Sequence, residues 1–406
     1  MAYFLSGFAQ RREDLWVFGS WGGRRYADNA AAFFRYCAAR TGGTVEVAWI
    51  SRDRRIVAAL RADGLSAHWI YSPRGMLCCL RAGVYVFDCF SKDINHWLSR
   101  GALKANLWSG VPLKTFERDI RQPGSRYYRL FHGSLAERWA LSALMPWHAT
   151  RPDFLISTSA ATRDILCRAF DVPRIKVAIT GLPRNDAMME APVAPGDVLP
   201  PAAAAARRDG RKVFLYLPTL RDHGRPFLDI DWAALDAFLA ANGAVLMYRF
   251  HPMDANSVSY TSESIVELPR AIDIPDVLPH VDCLVSDYSS VVVDYLLLDR
   301  PMIYYFPDAD GFAATGRSLN FDLDRIAAGP IATSAGALMT AMRGVLDGVE
   351  DQPAARQRRQ DVAALFHAHQ DGRASERLLD AIALRLRNGE ALIRIGAAAR
   401  SRAAGS

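Results

Sequence analysis

Val285-Ser286-Asp287-Tyr288-Ser289-Ser290-Val291-Val292-Val293-Asp294-Tyr295-Leu296-Leu297-Leu298-Asp299-Arg300-Pro301-Met302-Ile303-Tyr304-Tyr305 joins two apolar β runs, Cys283–Ser286 and 301–306, through a segment with helical spacing. Strand, helix and strand in that order form the parallel βαβ unit. At the first joint stand Asp287, Ser289 and Ser290. A strand that ends in small hydroxylated residues and turns into a helix offers unpaired backbone N–H groups and a positive dipole end, which together suit phosphate. A serine at this place also serves as an ordinary N-cap. One capping residue would suffice, so the clustered hydroxyls and carboxylate favour the phosphate reading.

The pattern continues in both directions from this unit. Toward the N-terminus, β runs at 15–18, 45–50, 67–71, 84–87, 154–157 and 176–179 alternate with helical spacing at 27–40, 54–62 and 160–170. At 191–211 the composition turns to proline and alanine, as in Pro200-Pro201-Ala202-Ala203-Ala204-Ala205-Ala206. This marks a boundary, with the alanine run open to forming a short helix. Strands at 212–217, 244–250, 265–267, 283–285 and 302–305 and helices at 232–241, 276–280 and 291–298 then form a second series. The expected architecture is α/β. It has a Rossmann-like domain over 1–190, a linker over 191–211, a second Rossmann-like domain over 212–372, and a helix and tail over 373–406. Two such domains facing a cleft would place ligands beyond the carboxyl ends of the strands.

A chain of 406 residues, half of them hydrophobic, has material for two cores. Its formal charge of +6 is mild and suits an acidic partner without selecting one. The six cysteines have no metal-ligand spacing and no C-x-x-C pair, which reads as free thiols in a cytoplasmic protein. Neither a signal peptide nor a membrane-spanning apolar run is visible. Over 374–395 apolar residues recur with arginines between them. Two readings stand: a helix packed back on the first domain, or a basic amphipathic helix lying on an anionic membrane surface, which would place the protein peripherally at the inner face.

Five blocks carry chemistry. Asn106-Leu107-Trp108-Ser109-Gly110-Val111-Pro112-Leu113-Lys114 offers a close-approaching backbone and a cation, although Gly-Val-Pro is also an ordinary turn. Gly181-Leu182-Pro183-Arg184-Asn185-Asp186 puts Arg184 at a strand end, where it would bind phosphate or make a surface ion pair. Tyr216-Leu217-Pro218-Thr219-Leu220-Arg221 brings a hydroxyl and a guanidinium, Thr219 and Arg221, to another strand end. Tyr248-Arg249-Phe250-His251-Pro252 ends an apolar strand in a histidine, which is better placed for function than for packing. The fifth block is Asp287–Ser290. Asp229-Ile230-Asp231 opens a helix and reads as capping rather than as a metal motif, so no protein-bound metal or cofactor is implied.

In this order the five blocks resemble the CDP-glycerol glycerophosphotransferase family, of the teichoic-acid primase and polymerase type, over roughly half the chain. The resemblance implies a GT-B fold and transfer of glycerol phosphate, or a related polyol phosphate, from a CDP-linked donor to an acceptor hydroxyl with release of CMP. The acceptor implied is a polyol-phosphate or glycan chain of a cell wall or capsule, with no nucleic-acid partner. Thr219, Arg221, Arg249, Asp287, Ser289, Ser290 and Asp294 would hold the donor, with His251 stabilising the leaving phosphate. Lys114 and Arg184 would serve the acceptor and its phosphate. One departure matters: the family has histidine where this chain has Ser109, and a serine hydroxyl is no general base at neutral pH. The base would then be His132 of Phe131-His132-Gly133-Ser134, or Glu117 or Asp119. Otherwise no base is needed, or the chain is an inactive polymer-binding homologue. His132 also has a plain reading as a buried structural histidine. A GT-B glycosyltransferase using a nucleotide sugar is the remaining alternative.

Overall fold

The computed structural model describes residues 1–190, 193–219, 230–250, 260–307 and 318–387. The chain divides into two compact units. The first comprises 1–109, 132–186 and 373–406, and the second 110–131 and 187–372.

The first unit holds a seven-stranded sheet in the order β3-β2-β1-β4-β5-β6-β7. Its strands are β1 (Arg12–Gly19), β2 (Glu46–Ser51), β3 (Ala67–Trp69), β4 (Ala82–Phe87), β5 (Leu103–Asn106), β6 (Phe154–Ser157) and β7 (Val177–Ile179). Every pairing is parallel. The near-continuous apolar runs follow from this, because a parallel sheet is covered on both faces. Trp16, Val17, Phe18, Trp49, Val84 and Tyr85 are all buried.

The second unit repeats the plan with six strands, in the order β10-β9-β8-β11-β12-β13. These are β8 (Val213–Leu217), β9 (Val245–Tyr248), β10 (Ile265–Glu267), β11 (Cys283–Ser286), β12 (Met302–Tyr305) and β13 (Ile331–Ala332). All of them pair in parallel, and Val285 of β11 lies between Tyr216 and Ile303. In each sheet the strand order reverses once, between β1 and β4 and between β8 and β11. Those two reversals are where an open α/β sheet leaves a crevice at its carboxyl edge.

Between β11 and β12 the helix Val291–Tyr295 tightens into a 3₁₀ turn, Leu296–Leu298. It stops at Asp299, which takes φ 46°, a left-handed conformation that aspartate tolerates better than most residues. Arg300 Nη1 then donates to the carbonyls of Pro279 and Val281 at 2.6 and 2.7 Å, and so steers the chain into β12.

Three features of the organisation differ from a simple split at 191–211. The alanine run is the helix Pro201–Arg208, with Ala203, Ala204 and Ala206 buried in the second unit. Its Arg207 donates to Asp282 at 2.8 Å, and Asp282 in turn accepts from the N–H of Val213. Residues 110–131 leave the first unit and belong to the second. Residues 374–387 are helical and belong to the first unit, with Leu378 and Ile382 fully buried. Asp186 caps that helix by accepting from the N–H groups of Ala374 and Ser375, each at 2.8 Å. The packed reading thus describes 374–387, while 388–395 of the amphipathic segment lie outside the described residues. Among the described residues no helix is long and apolar enough to cross a membrane.

Candidate functional site

At the second unit's reversal, β11 ends in Ser286, whose Oγ donates to the Leu217 carbonyl at 2.6 Å. The next residue, Asp287, is only 2% exposed. Its carboxylate accepts from the N–H of Thr219 at 3.0 and 3.1 Å and from the Thr219 hydroxyl at 2.5 Å. Asp287 therefore holds the turn after β8, and Thr219 reaches the site through it. The Tyr288 ring stacks on Phe306 at 4.6 Å, which leaves Ser289 and Ser290 half-buried at the start of Val291–Tyr295. Ser289 Oγ accepts weakly from the Val291 N–H at 3.4 Å, and Ser290 makes no side-chain capping bond. Asp294 is buried on the same short helix. Arg249 braces the chain after β10, donating to the Ile272 carbonyl at 2.6 Å. His251 and Arg221 lie outside the described residues.

Lys114 joins this group and not the first unit, where the acceptor reading had put it. The segment 112–115 is clamped to 318–320. Asn320 Nδ2 donates to the carbonyls of Pro112 and Lys114 at 3.0 and 3.1 Å. The backbone adds Thr115 N–H to Ser318 O and Asn320 N–H to Leu113 O, both at 2.8 Å. Lys114 Nζ consequently stands 6.0 Å from the centre of the ring of Tyr288, the residue that precedes Ser289 and Ser290 in the chain. Long-range pairing with residues two hundred positions away decides which unit the lysine serves.

At the first unit's reversal the polar residues are Ser20, after β1, and Asp88, after β4, both fully buried. Asp88 accepts from the Ala30 N–H at 2.9 Å, at the start of the helix Asp28–Arg40. Burial, followed by the charge of Asp28, pushes the Asp88 carboxyl well above the usual carboxylate range. Asp28 holds φ 67°. Its carboxylate pairs with Arg184 Nη1 at 2.7 Å, with both side chains largely buried. The same Nη1 donates to the Ser109 carbonyl at 2.5 Å. Asn29 completes the ring: its Nδ2 donates to the Trp108 carbonyl at 2.7 Å, and its Oδ1 accepts from the Arg184 N–H at 3.2 Å. Arg184 is therefore an internal brace that ties the Ser109 loop to the start of a helix, and one arm of it is occupied by Asp28.

Of the expected bases, His132 is exposed at the end of the helix Arg126–His132, which corrects its reading as a buried residue. Glu117 and Asp119 are buried in a 3₁₀ turn of the second unit. Asp231 caps the helix Trp232–Ala241 by accepting from the Ala234 N–H at 3.0 Å, as its position suggested.

Two all-parallel Rossmann-like sheets, each with polar side chains gathered where its strand order reverses, define a GT-B-like protein. The chain belongs to the CDP-glycerol:poly(glycerophosphate) glycerophosphotransferase family, whose profile matches residues 1–384. It is 24% identical over 387 residues to a teichoic acid glycerol-phosphate transferase of Staphylococcus aureus, covering 91% of this chain and 93% of that protein. It is 29% identical over 222 residues to the teichoic acid ribitol-phosphate polymerase TarK of the same organism, covering 52% of this chain and 41% of that one. In fold it is similar to the wall teichoic acid polymerase TagF, with a TM-score of 0.72, 22% identity, and 93% and 90% of the two chains covered. A variant of TagF soaked with CDPG gives a TM-score of 0.70, also with 22% identity and 93% and 90% of the two chains covered.

Proposed function

We propose that this protein transfers glycerol phosphate, or a closely related polyol phosphate, from a CDP-linked donor to an acceptor hydroxyl, releasing CMP and extending a teichoic-acid-like or capsular polymer. Family membership supports the reaction class. The observation that carries the donor site is Lys114 beside the Tyr288 ring at the second unit's strand reversal, where Ser289 and Ser290 follow in the chain. There a diphosphate would meet an ammonium and two hydroxyls, donors suited to phosphate oxygens. Catalysis by in-line positioning and charge stabilisation requires little more of the protein on that side. The mild positive charge suits a polyanionic product, and an anionic membrane surface is a compatible place of work.

Ser109 favours a second reading, an inactive homologue that binds polymer, because the position the family fills with histidine cannot accept a proton here. One experiment separates the two: CMP release from CDP-glycerol by the purified protein, with and without a glycerol-phosphate primer. Primer-dependent release is expected. Primer binding without CMP would establish the inactive homologue, and release of UDP or GDP from a nucleotide sugar would establish a glycosyltransferase.

A further inference from the structure

The helical turn Ala2–Leu5 continues as the 3₁₀ turn Ser6–Phe8, and this run carries its largest side chains outward. Met1, Phe4, Leu5 and Phe8 stand at the i, i+3, i+4, i+7 spacing of one helix face. All four are exposed, Phe4 by 62% and Phe8 by 88%. Trp97, half-exposed on the turn His96–Leu98, joins them from a second segment. An isolated exposed apolar residue needs no explanation, but a cluster drawn from two segments marks a docking surface.

The segments are held together from beneath. Tyr3 stacks on the His96 ring at 4.8 Å, and that ring meets Trp97 edge-on at 5.3 Å. Arg11 Nη2 donates to the carbonyls of Ser6 at 3.1 Å, of Leu98 at 2.8 Å and of Arg100. Its Nη1 donates to those of Cys79 and Ala82 at 2.9 and 3.1 Å. One guanidinium thus fixes the N-terminal turns, residues 98–100 and the end of the helix Pro73–Arg81 at one corner of the first unit.

Charge says what this corner meets. Residues 1–12, 64–87 and 94–109, which include all three segments, contain no aspartate or glutamate. They expose Arg74, Arg81 and Arg100 instead. Beyond them, Asp14 and Glu46 are paired with Arg12 at 2.7 and 2.9 Å. The Arg100 guanidinium lies 4.5 Å from the centre of the Phe4 ring, so cation and apolar anchor stand side by side. Protruding apolar side chains, a tryptophan and arginines without carboxylates suit an anionic bilayer, which offers acyl chains below and phosphates at the level of the cations. A second copy of the chain would set arginine against arginine.

We propose that this corner docks on an anionic membrane. Phe4, Leu5 and Phe8 enter the boundary between headgroups and acyl chains, Trp97 lies at headgroup level, and Arg100 meets lipid phosphate. The inference goes beyond the reaction proposed above and does not depend on it. It also moves membrane attachment away from the 374–395 segment, whose residues 374–387 belong to the first unit with Leu378 and Ile382 buried.

The test is cosedimentation of the 406-residue chain with vesicles of phosphatidylcholine, alone or with about 30% phosphatidylglycerol. Wild type is expected to bind the anionic vesicles about tenfold more tightly than the neutral ones, and less tightly as salt rises. Phe4→Ser combined with Phe8→Ser is expected to weaken that binding roughly 10²-fold, and Arg100→Ala about fivefold. These side chains are exposed, so circular dichroism and the unfolding midpoint are expected unchanged. CMP release from CDP-glycerol with a soluble primer is also expected unchanged, so this proposal and the phosphotransferase reading fail by separate measurements. Undiminished vesicle binding by the Phe4/Phe8 variant would overturn the proposal, as would no binding by wild type. Self-association of wild type that the same substitutions abolish, without affinity for vesicles, would make the face a contact between copies and overturn it equally.

Discussion

The buried carboxylate of Asp287 receives both the N–H and the hydroxyl of Thr219, closing the turn after β8 onto the end of β11. Two strands that are neighbours in the sheet but seventy residues apart in the chain are thus joined at the point where their order reverses. Asp287→Asn keeps the shape and loses half of the acceptor capacity. It is expected to cost about 1–3 kcal/mol of stability and to weaken CDP-glycerol binding roughly tenfold. Urea unfolding and calorimetry measure the two effects separately.

Asn320 bears on the proposed donor site through Lys114. Removing its amide with Asn320→Ala frees the carbonyls of Pro112 and Lys114 and loosens the lysine's placement. The expected result is a rise of about fivefold in KM for CDP-glycerol, smaller than the rise on Lys114→Met, since the backbone bridge to Leu319 remains. A double mutant no worse than Lys114→Met alone would place the two residues on one path.

Arg184 and Asp28 form a largely buried ion pair, so removing one partner strands the other. Arg184→Met is expected to destabilise the first unit by about 3–5 kcal/mol and to release the Ser109 carbonyl. Arg184→Met with Asp28→Asn should recover a good part of the stability but not the loop's order. Thermal unfolding reads the first effect, and hydrogen exchange of the 107–110 amides reads the second.

His96 is buried, stacked on Tyr3 at 4.8 Å and hydrogen-bonded to Ser91 at 2.8 Å. Burial, with a smaller contribution from Lys104, lowers its pKa from 6.5 to about 4. A histidine with a depressed folded pKa binds its proton more readily when unfolded. Its contribution is therefore complete above the unfolded value and is lost as pH falls from about 6.5 toward 4. The loss is expected to reach roughly 2 kcal/mol. His96→Gln should flatten the stability curve over that window, measured by denaturant midpoints between pH 7 and pH 4.

Much of the architecture was legible in the residues. Alternating apolar runs located most of the strands of both sheets to within a few residues, because a covered parallel strand must be apolar nearly throughout. The helix after Ser290 was legible, although it tightens at Leu296 and ends at a left-handed Asp299. Polar residues at strand ends pointed to the two strand reversals. What they do there was less legible. Asp287 and Arg249 serve neighbouring backbone, and Arg184 serves Asp28 and the Ser109 carbonyl, because a buried polar group is held by whichever partners the packing supplies.

By itself the sequence determined the α/β class, the twofold repetition of the Rossmann-like pattern and the family, since periodicity and motif order are local properties of the chain. Tertiary structure decided that Lys114 serves the second unit, that residues 374–387 return to the first, and that Phe4 meets Arg100. Those are outcomes of long-range pairing: hydrogen bonds of the 112–115 segment to Asn320, of the C-terminal helix to Asp186, and of Arg11 to the carbonyls of Cys79 and Leu98. A group's chemical role depends on neighbours that only the folded chain brings within a few ångströms.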